Sequence, residues 1–331
     1  ILDAETARVR TSIPLGSQPA GADLGAFVTV NYGPDGRSLI VTYSAGGVNA
    51  ADVFMRRFDT RDGTPLGRHV PVAPRSMSGA PLSSPDGRLV LVSSDRATYA
   101  VDAQTLRVVR RYRGGAEGDA AISADGGTLA LEDPGGSLGL LDLHSGRVRT
   151  LAGAAAGDFG IGAISPDGRT LATWDESDVI IWDVRRGVPT ELFEGHDGDA
   201  EKQVFSPDGR TLYTAGEDSR VIVWDVAGDR RLGVPFRTGF VRETSESFPP
   251  PFAISPDGRT LAVARLDGRV DLIDAETLRR TGGFEAFDGR PAVAIEYAPD
   301  GGTLAVAGVG GGVGLWDAAS ETLIGALLRA P

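Results

Sequence analysis

The chain has 331 residues, a formal net charge of −12 and no cysteine. The absence of cysteine excludes disulfides, thiolate zinc sites and cysteine nucleophiles, and the acidity argues against binding to the phosphate backbone of nucleic acids. Hydrophobic residues make up 41% of the chain, which argues against disorder. The sequence contains no run of about 18 apolar residues, the length that would predict a membrane span.

The first 15 residues look like the end of a repeat rather than its beginning. Ile1-Leu-Asp-Ala-Glu-Thr6 closely parallels Ile273-Asp-Ala-Glu-Thr277, so residues 1–15 are predicted to hold a strand end, a turn and an outer strand. This segment either closes the last sheet of the fold or ends a sheet that precedes the chain. Because the chain opens within a repeat, we expect it to be part of a longer protein.

A turn block of the Pro-Asp-Gly type recurs seven times, at intervals that average about 44 residues. Its aspartates are Asp35, Asp86, Asp125, Asp167, Asp208, Asp257 and Asp300. Proline presets φ for the second position of a turn, aspartate suits the third, and glycine takes the left-handed position that follows. Apolar residues flank each block, which predicts a tight hairpin.

A second block, which ends in aspartate, follows each hairpin by about ten residues. Its clearest examples are residues 179–183, 221–225 and 313–317. Their β-branched and aromatic side chains are typical of strands, and a short turn then leads to one more strand, such as residues 278–284. Each repeat therefore predicts four antiparallel strands.

Seven such repeats predict an all-β fold, a seven-bladed β-propeller with four-stranded antiparallel blades, in which residues 1–331 form a single domain. One four-stranded sheet leaves an apolar face uncovered, whereas radial stacking and ring closure cover both faces. A β-sandwich with repeated turns is the alternative, but a sandwich does not keep one turn sequence in register seven times.

Two intervals between successive turn aspartates, from Asp35 to Asp86 and from Asp208 to Asp257, are longer than the others. They indicate inserted loops before the second and sixth repeats. Arginine and aromatic residues concentrate binding energy in protein interfaces. The partner-binding candidates are therefore Arg68, Arg75, Met77, Phe240, Arg242 and Phe248, with Trp174 beside the turn of the fourth repeat. These loops either bind a partner or fold back and bury their own phenylalanines, and Trp174 is either exposed or packed on the next sheet.

No catalytic, metal-binding or cofactor-binding motif stands out. The three histidines lie in separate repeats, no Gly-Lys-Ser/Thr phosphate loop is present, and Asp197-Gly-Asp199 lacks the rest of a calcium loop. We expect neither a cofactor nor a catalytic residue. The alternative is a propeller enzyme, such as a lactonase-like metal-dependent hydrolase, with side chains from several blades converging at one mouth of a central channel.

The repeat resembles the WD-repeat family across essentially the whole chain. The name-giving dipeptide of that family is matched by Trp182-Asp183, Trp224-Asp225 and Trp316-Asp317, and its Gly-His by Gly195-His196. The resemblance implies a structural tetrad of hydrogen-bonded side chains at His196, Thr214, Asp218 and Trp224. A looser propeller family with Asp-terminated strands is an alternative assignment.

The resemblance also implies a non-catalytic interaction or sensor module. In this family the loops that lead into the innermost strands form the usual partner surface, so we expect a protein or peptide partner there and neither nucleic acid nor membrane. Similar arrays often form the C-terminal part of bacterial signalling proteins, attached to STAND-type ATPases, kinases or transcriptional regulators. We expect a cytoplasmic, monomeric fragment; a purely structural spacer is a further possibility.

Overall fold

The computed structural model shows strands and turns throughout the part of the chain that it describes. The described residues are 24–32, 37–45, 52–59, 64–73, 81–94, 97–113, 120–133, 136–152, 159–228, 230–238, 250–309, 312–324 and 328–329. Within these ranges, no helix has the length and apolar character needed to cross a membrane.

Seven antiparallel sheets of four strands make up the described fold, and the last sheet carries one further short strand. This is the strand content of a seven-bladed β-propeller, and the predicted fold class is confirmed. The described residues divide into two compact units, one with residues 24–171 and 183–189 and the other with residues 172–182 and 190–329.

The first three sheets lie wholly in the first unit, and their strands pair in chain order. They are formed by β1 (Leu24–Tyr32), β2 (Ser38–Ala45), β3 (Asp52–Asp59) and β4 (Val70–Ala73); β5 (Leu82–Ser83), β6 (Leu89–Ser94), β7 (Ala97–Asp102) and β8 (Val108–Arg113); and β9 (Ala121–Ile122), β10 (Thr128–Glu132), β11 (Leu138–Asp142) and β12 (Val148–Thr150).

The fourth sheet contributes residues to both units, and the last three lie wholly in the second. The fourth is formed by β13 (Phe159–Ile164), β14 (Thr170–Asp175), β15 (Asp178–Asp183) and β16 (Val188–Phe193). The others are formed by β17 (Lys202–Phe205), β18 (Thr211–Ala215), β19 (Arg220–Asp225) and β20 (Arg230–Arg237); β21 (Phe252–Ile254), β22 (Thr260–Ala264), β23 (Arg269–Asp274) and β24 (Arg280–Glu285); and β25 (Ala292–Tyr297), β26 (Thr303–Gly308), β27 (Gly312–Asp317), β28 (Thr322–Leu323) and β29 (Leu328–Arg329).

A serine and an aspartate hold the turn between the first two strands of a sheet. In the fifth sheet the Ser206 hydroxyl donates to Asp208 Oδ1 at 2.6 Å, and Arg210 N donates to the same oxygen at 3.1 Å. Gly209 has a φ of +71°, the left-handed conformation that the sequence assigns to it. Thr211 N donates to Ser206 Oγ at 3.0 Å and closes the turn.

The same bond from serine to aspartate recurs in four other sheets, at Ser84–Asp86, Ser123–Asp125, Ser165–Asp167 and Ser255–Asp257. In all five turns the serine hydroxyl is the main cause that lowers the pKa of the aspartate, because a hydrogen bond to the charged form favours it. Each of these turns therefore carries an ionised aspartate at neutral pH.

Within each unit, the apolar faces of neighbouring sheets pack against one another. In the first unit Met55 of the first sheet and Tyr99 of the second belong to one buried cluster. In the second unit Tyr213 of the fifth sheet and Phe252 of the sixth share another. Each sheet thereby covers a face that it could not bury alone, as the repeat predicts.

Arg110 also joins two sheets of the first unit. From β8 its Nη1 donates to the Leu143 carbonyl and its Nη2 to the Ser145 carbonyl, each at 3.2 Å, in the turn after β11. The Tyr112 hydroxyl donates to the same Leu143 oxygen at 2.8 Å. One planar guanidinium therefore satisfies carbonyls of a turn in the next sheet.

The outer edge of β27 is paired with C-terminal residues of the chain. Trp316 pairs with Leu323 of β28, and Gly312 pairs with Arg329 of β29. Residues 1–15, for which closure of the last sheet is one alternative, lie outside the described residues, and that closure stays a prediction.

Candidate functional site

A chain of hydrogen bonds links four buried side chains in the fifth sheet. His196 Nδ1 lies 3.0 Å from Asp218 Oδ1, and His196 Nε2 lies 2.7 Å from Thr214 Oγ1. The indole Nε1 of Trp224 donates to the same threonine oxygen at 2.9 Å. The structure thus brings together the four residues of the tetrad, from the loop before β17 through β18 to β19.

The position of each proton along these hydrogen bonds follows from which groups can donate and which can accept. The Trp224 N–H can only donate, so Thr214 accepts from the indole and gives its own proton to His196 Nε2. His196 then carries its proton on Nδ1 and donates to Asp218. Burial by itself would raise the pKa of Asp218, but the hydrogen bonds that its carboxylate accepts from His196 and from the N–H of Asp197 outweigh burial and lower that pKa.

Two glycines leave room for the histidine and the indole. A Cβ on Gly216 would lie 2.8 Å from His196 Nδ1, and a Cβ on Gly195 would lie 3.0 Å from Trp224 Cη2. The side chain of His196 is 0% exposed and that of Asp218 3%. Because neither group faces solvent, this pair supports the sheet rather than a reaction.

The fourth sheet holds half of the same arrangement. Trp182 Nε1 donates to Thr173 Oγ1 at 2.9 Å, and both residues are buried. The sequence has no histidine just before this sheet, and residues 153–158 lie outside the described part. The bond between tryptophan and threonine therefore forms here without the histidine.

Each sheet has two different ends. We name the loop end the one that carries the loop into the first strand and the turn between the second and third strands, and the turn end the one that carries the Pro-Asp-Gly turn. In the fifth, sixth and seventh sheets a backbone hydrogen bond joins the loop to the turn, namely Glu217 N to Asp199 O at 3.0 Å, Leu266 N to Thr238 O at 3.1 Å, and Val309 N to Pro291 O at 3.0 Å. These bonds give the loop end of each sheet a defined backbone.

Two apolar side chains are exposed at these loop ends. Leu266 is 38% exposed and Val309 52% exposed, and each lies in the turn between the second and third strands of its sheet. Charged neighbours, Arg265 and Asp267, flank Leu266. The sequence analysis did not single out these residues, although an apolar residue within a polar turn was a signal that could have done so.

The loop end of the fifth sheet is acidic instead. Carboxylate oxygens of Asp199, Glu201 and Glu217 lie within 4.8 Å of one another, and all three residues are half-buried. Carboxylates so placed could ligate a hard cation such as Ca²⁺. All three belong to one sheet, whereas the metal hydrolase alternative requires side chains from several.

Lys202, the only lysine of the chain, lies between neighbouring first strands of the second unit. Its Nζ donates to the Phe252 carbonyl at 2.7 Å and lies 4.7 Å from the centroid of the Phe252 ring. Burial lowers the pKa of Lys202, and the negative charge of Glu296 opposes that shift. The sequence analysis missed this amine, because its partners come from other sheets.

The structure describes two of the partner-binding candidates. Arg68 is exposed and lies just before β4. An isolated β-bridge between Phe58 and Pro65 precedes it in the connection from β3 to β4. Arg68 therefore lies between the third and fourth strands and not in a loop that leads into the next sheet. Trp174 is half-buried at the end of β14, and its buried Nε1 has no hydrogen-bond partner among the described residues. The candidates outside the described residues are Arg75, Met77, Phe240, Arg242 and Phe248.

Comparison with known families gives one match. A family model described as "WD domain, G-beta repeat" matches residues 187–225, which run from the turn before β16 to the end of β19 and include the whole tetrad. No curated protein matches the chain.

Proposed function

We propose that this chain, a WD-repeat β-propeller by its matching repeat and its seven four-stranded sheets, binds a protein or peptide at the loop ends of its sheets. Protein interaction is the function that the WD repeat itself supports. The choice of the loop ends, and a place within a larger signalling or transcription-regulating protein, are our proposal.

The observation that carries this proposal is the pair of exposed apolar side chains at the loop ends of the sixth and seventh sheets. The backbone N–H groups of Leu266 and Val309 each donate to a carbonyl of the loop that leads into the first strand of their sheet, so a partner would meet these residues in a set position. Leu266 lies between Arg265 and Asp267, and an apolar group with charged neighbours is typical of the centre and rim of an interface. Preorganised loops also lower the entropy cost of binding.

The charge of the neighbouring sheet indicates what the partner presents. The loop end of the fifth sheet carries Asp199, Glu201 and Glu217, so a basic group on the partner would be attracted there. A segment with an apolar side chain and a nearby basic residue fits both features.

Site-specific photo-crosslinking tests the location. A benzophenone amino acid in place of Leu266, or in place of Val309, should crosslink a partner from cell extract. The matched control is position 234, because Val234 is 82% exposed on the outer strand β20, away from the loop end. Crosslinking of the same partner with equal yield from position 234 would overturn the proposal.

The loop candidates are tested in the same assay. Phe240→Ala combined with Arg242→Ala should lower the yield from position 266 if the loop before β21 contributes to binding. An unchanged yield would remove these two residues from the binding surface while leaving the loop-end proposal standing on Leu266 and Val309.

The metal hydrolase alternative has a separate test. Among the described residues, the acidic group at Asp199, Glu201 and Glu217 is the set that could hold a metal ion. Metal analysis of the purified chain and of a Glu217→Gln variant decides whether it does. Stoichiometric metal that is lost in the variant would show a cation site at this loop end, and the absence of metal from both proteins would count against the alternative.

A further inference from the structure

The Pro-Asp-Gly turn of the seventh sheet departs from the other described turns. Ala298 stands where five of them carry the serine that donates to the turn aspartate. The backbone of the turn is unchanged, since Gly301 N still donates to Ala298 O at 2.8 Å. Asp300 Oδ1 accepts from Gly302 N at 2.9 Å, and no hydroxyl donates to this carboxylate among the described residues.

A second side chain is also missing at this turn. Gly302 occupies the position at which other turns carry an arginine, such as Arg88 and Arg169. In those turns the guanidinium lies beside the aspartate, with Arg88 Nε 3.7 Å from Asp86 Oδ2. Of the turns in the described part of the chain, that of Asp300 alone lacks both the serine and the arginine.

The space beside this turn is a cavity of about 340 Å³ at the turn end of the sixth and seventh sheets. It is lined by Asp257 and Asp300, by Tyr297, and by Ala318 and Ala319, among others. A volume of this size is at the lower limit of ligand pockets in proteins. We refer to it as the turn cavity.

Tyr297 lines the turn cavity. The residue is 8% exposed, and its hydroxyl makes no hydrogen bond to another described residue, so it is open to a ligand. Burial, and secondly the negative charge of Asp257, raise the pKa of Tyr297 to about 12. The hydroxyl is therefore neutral at physiological pH and able both to donate and to accept.

The charges around the cavity select the sign of a ligand. Asp257 Oδ1 accepts from the Ser255 hydroxyl and from Arg259 N, and no described residue bonds to its Oδ2. Asp257 and Asp300 carry two negative charges, while exposed Arg259 contributes one positive charge nearby. The balance favours a cation over an anion.

We propose that the turn cavity binds the guanidinium group of an arginine side chain on a partner protein. A guanidinium offers five N–H donors in a plane, which the carboxylates of Asp300 and Asp257 and the hydroxyl of Tyr297 can accept. Ala318 and Ala319 give an apolar wall for the methylene stem. The cavity is at the opposite end of the seventh sheet from Val309, so this inference stands independently of the proposed function.

The test is titration of the full chain with N-acetyl-arginine methylamide, followed by ligand-observed NMR. We expect saturable binding that weakens as NaCl is added. The citrulline analogue has the same shape and no charge, and it should bind at least tenfold more weakly. Equal binding of the two probes, or no binding of the arginine probe to folded protein, would overturn the proposal.

Variants of the cavity locate the binding. Asp300→Asn keeps an oxygen for Gly302 N and removes the charge, and Tyr297→Phe removes the hydroxyl; each should weaken binding about tenfold, as loss of a hydrogen bond to a charged group does. Ala298→Ser with Gly302→Arg restores the ordinary turn and should abolish binding. Asp208→Asn in the fifth sheet is the matched control and should bind normally.

Two further measurements separate a loss of binding from unfolding and a partner protein from a small metabolite. Melting temperatures of all variants show whether a loss of binding reflects unfolding, and Tyr297→Phe keeps the test open if Asp300→Asn is unstable. Free L-arginine presents the same guanidinium, and its α-ammonium and carboxylate cancel in net charge, so it should bind no more tightly than the capped probe. Tighter binding of free arginine would assign the cavity to a small metabolite and overturn the role of a partner protein.

Discussion

Thr214 joins the two halves of the hydrogen-bond chain in the fifth sheet, and its replacement by valine tests how that sheet is held together. Its hydroxyl oxygen lies 2.9 Å from Trp224 Nε1 and 2.7 Å from His196 Nε2. Valine has nearly the same shape but no hydroxyl. Thr214→Val therefore leaves one buried donor and one buried acceptor without a partner.

The fourth sheet offers a matched control. Thr173 accepts from Trp182 Nε1 at the same 2.9 Å, and no second side chain bonds to its hydroxyl among the described residues. Thr214 is 0% exposed and Thr173 1%. Thr173→Val makes the same chemical change at equal burial and leaves a single group unpaired.

The difference between the two variants gives the contribution of the histidine bond. An unpaired buried polar group costs about 1–3 kcal/mol. We therefore expect a loss of about 2–6 kcal/mol for Thr214→Val and about 1–3 kcal/mol for Thr173→Val. The cost of placing a methyl group where the hydroxyl was is common to both and cancels.

Hydrogen exchange with mass spectrometry measures this loss sheet by sheet. It suits a chain with two compact units, for which a single free energy of unfolding is not well defined. A loss of 2 kcal/mol speeds local opening about 30-fold and a loss of 1 kcal/mol about 5-fold. Amides of β17–β19 in Thr214→Val should accelerate by the larger factor, and amides of β14–β15 in Thr173→Val by the smaller. Equal acceleration in both variants would refute the reasoning, because the bond to His196 would then contribute nothing.

Two other predictions concern acid and the contact between sheets. Since the pKa of Asp218 is lowered in the fold from the ordinary value of 3.8, its ionised form adds stability that is present above the unfolded-state pKa and is lost as the pH falls through the folded-state pKa; the melting temperature should therefore fall less between pH 4 and pH 2 in Asp218→Asn than in the natural chain, and equal falls would contradict this. Arg110→Gln removes charge-assisted bonds to the turn after β11 and should cost about 1 kcal/mol at this exposed site, seen as about 5-fold faster exchange of residues 142–146. Arg113→Gln, an exposed position on the same strand, is the control and should leave that exchange unchanged.

Local geometry was predictable from the sequence because it depends on residues a few positions apart. The turn at Asp208 needs only a proline, an aspartate and a glycine in order, and Gly209 has the left-handed φ that this order requires. The tetrad at His196 spans one repeat, and its assignment depended on the resemblance to a family. Repetition of the turn seven times then predicted the number of sheets.

Contacts between sheets were not predictable in the same way, because they depend on which strands become neighbours. Lys202 meets the carbonyl and ring of Phe252, 50 residues later in the chain, and no local pattern marks that pair. The position of Arg68 was missed for another reason. The bridge between Phe58 and Pro65 lengthens the connection after β3, so Arg68 falls before β4 and not in the following loop.

The repeat constrains the turn end of each sheet more than the loop end, and this difference supports the choice of the loop ends as the proposed binding surface. At the turn end, five sheets keep the same bond from serine to aspartate, so the change at Ala298 and Gly302 stands out against a nearly constant background. At the loop end, the full tetrad forms in one described sheet, while single backbone bonds such as that from Leu266 N to Thr238 O hold others. Backbone bonds place no demand on side chains, so side chains at the loop ends are free to differ between sheets. An acidic group in one sheet and exposed apolar groups in two others are variations that a rigid repeat permits, and they fit the partner surface that we propose at the loop ends.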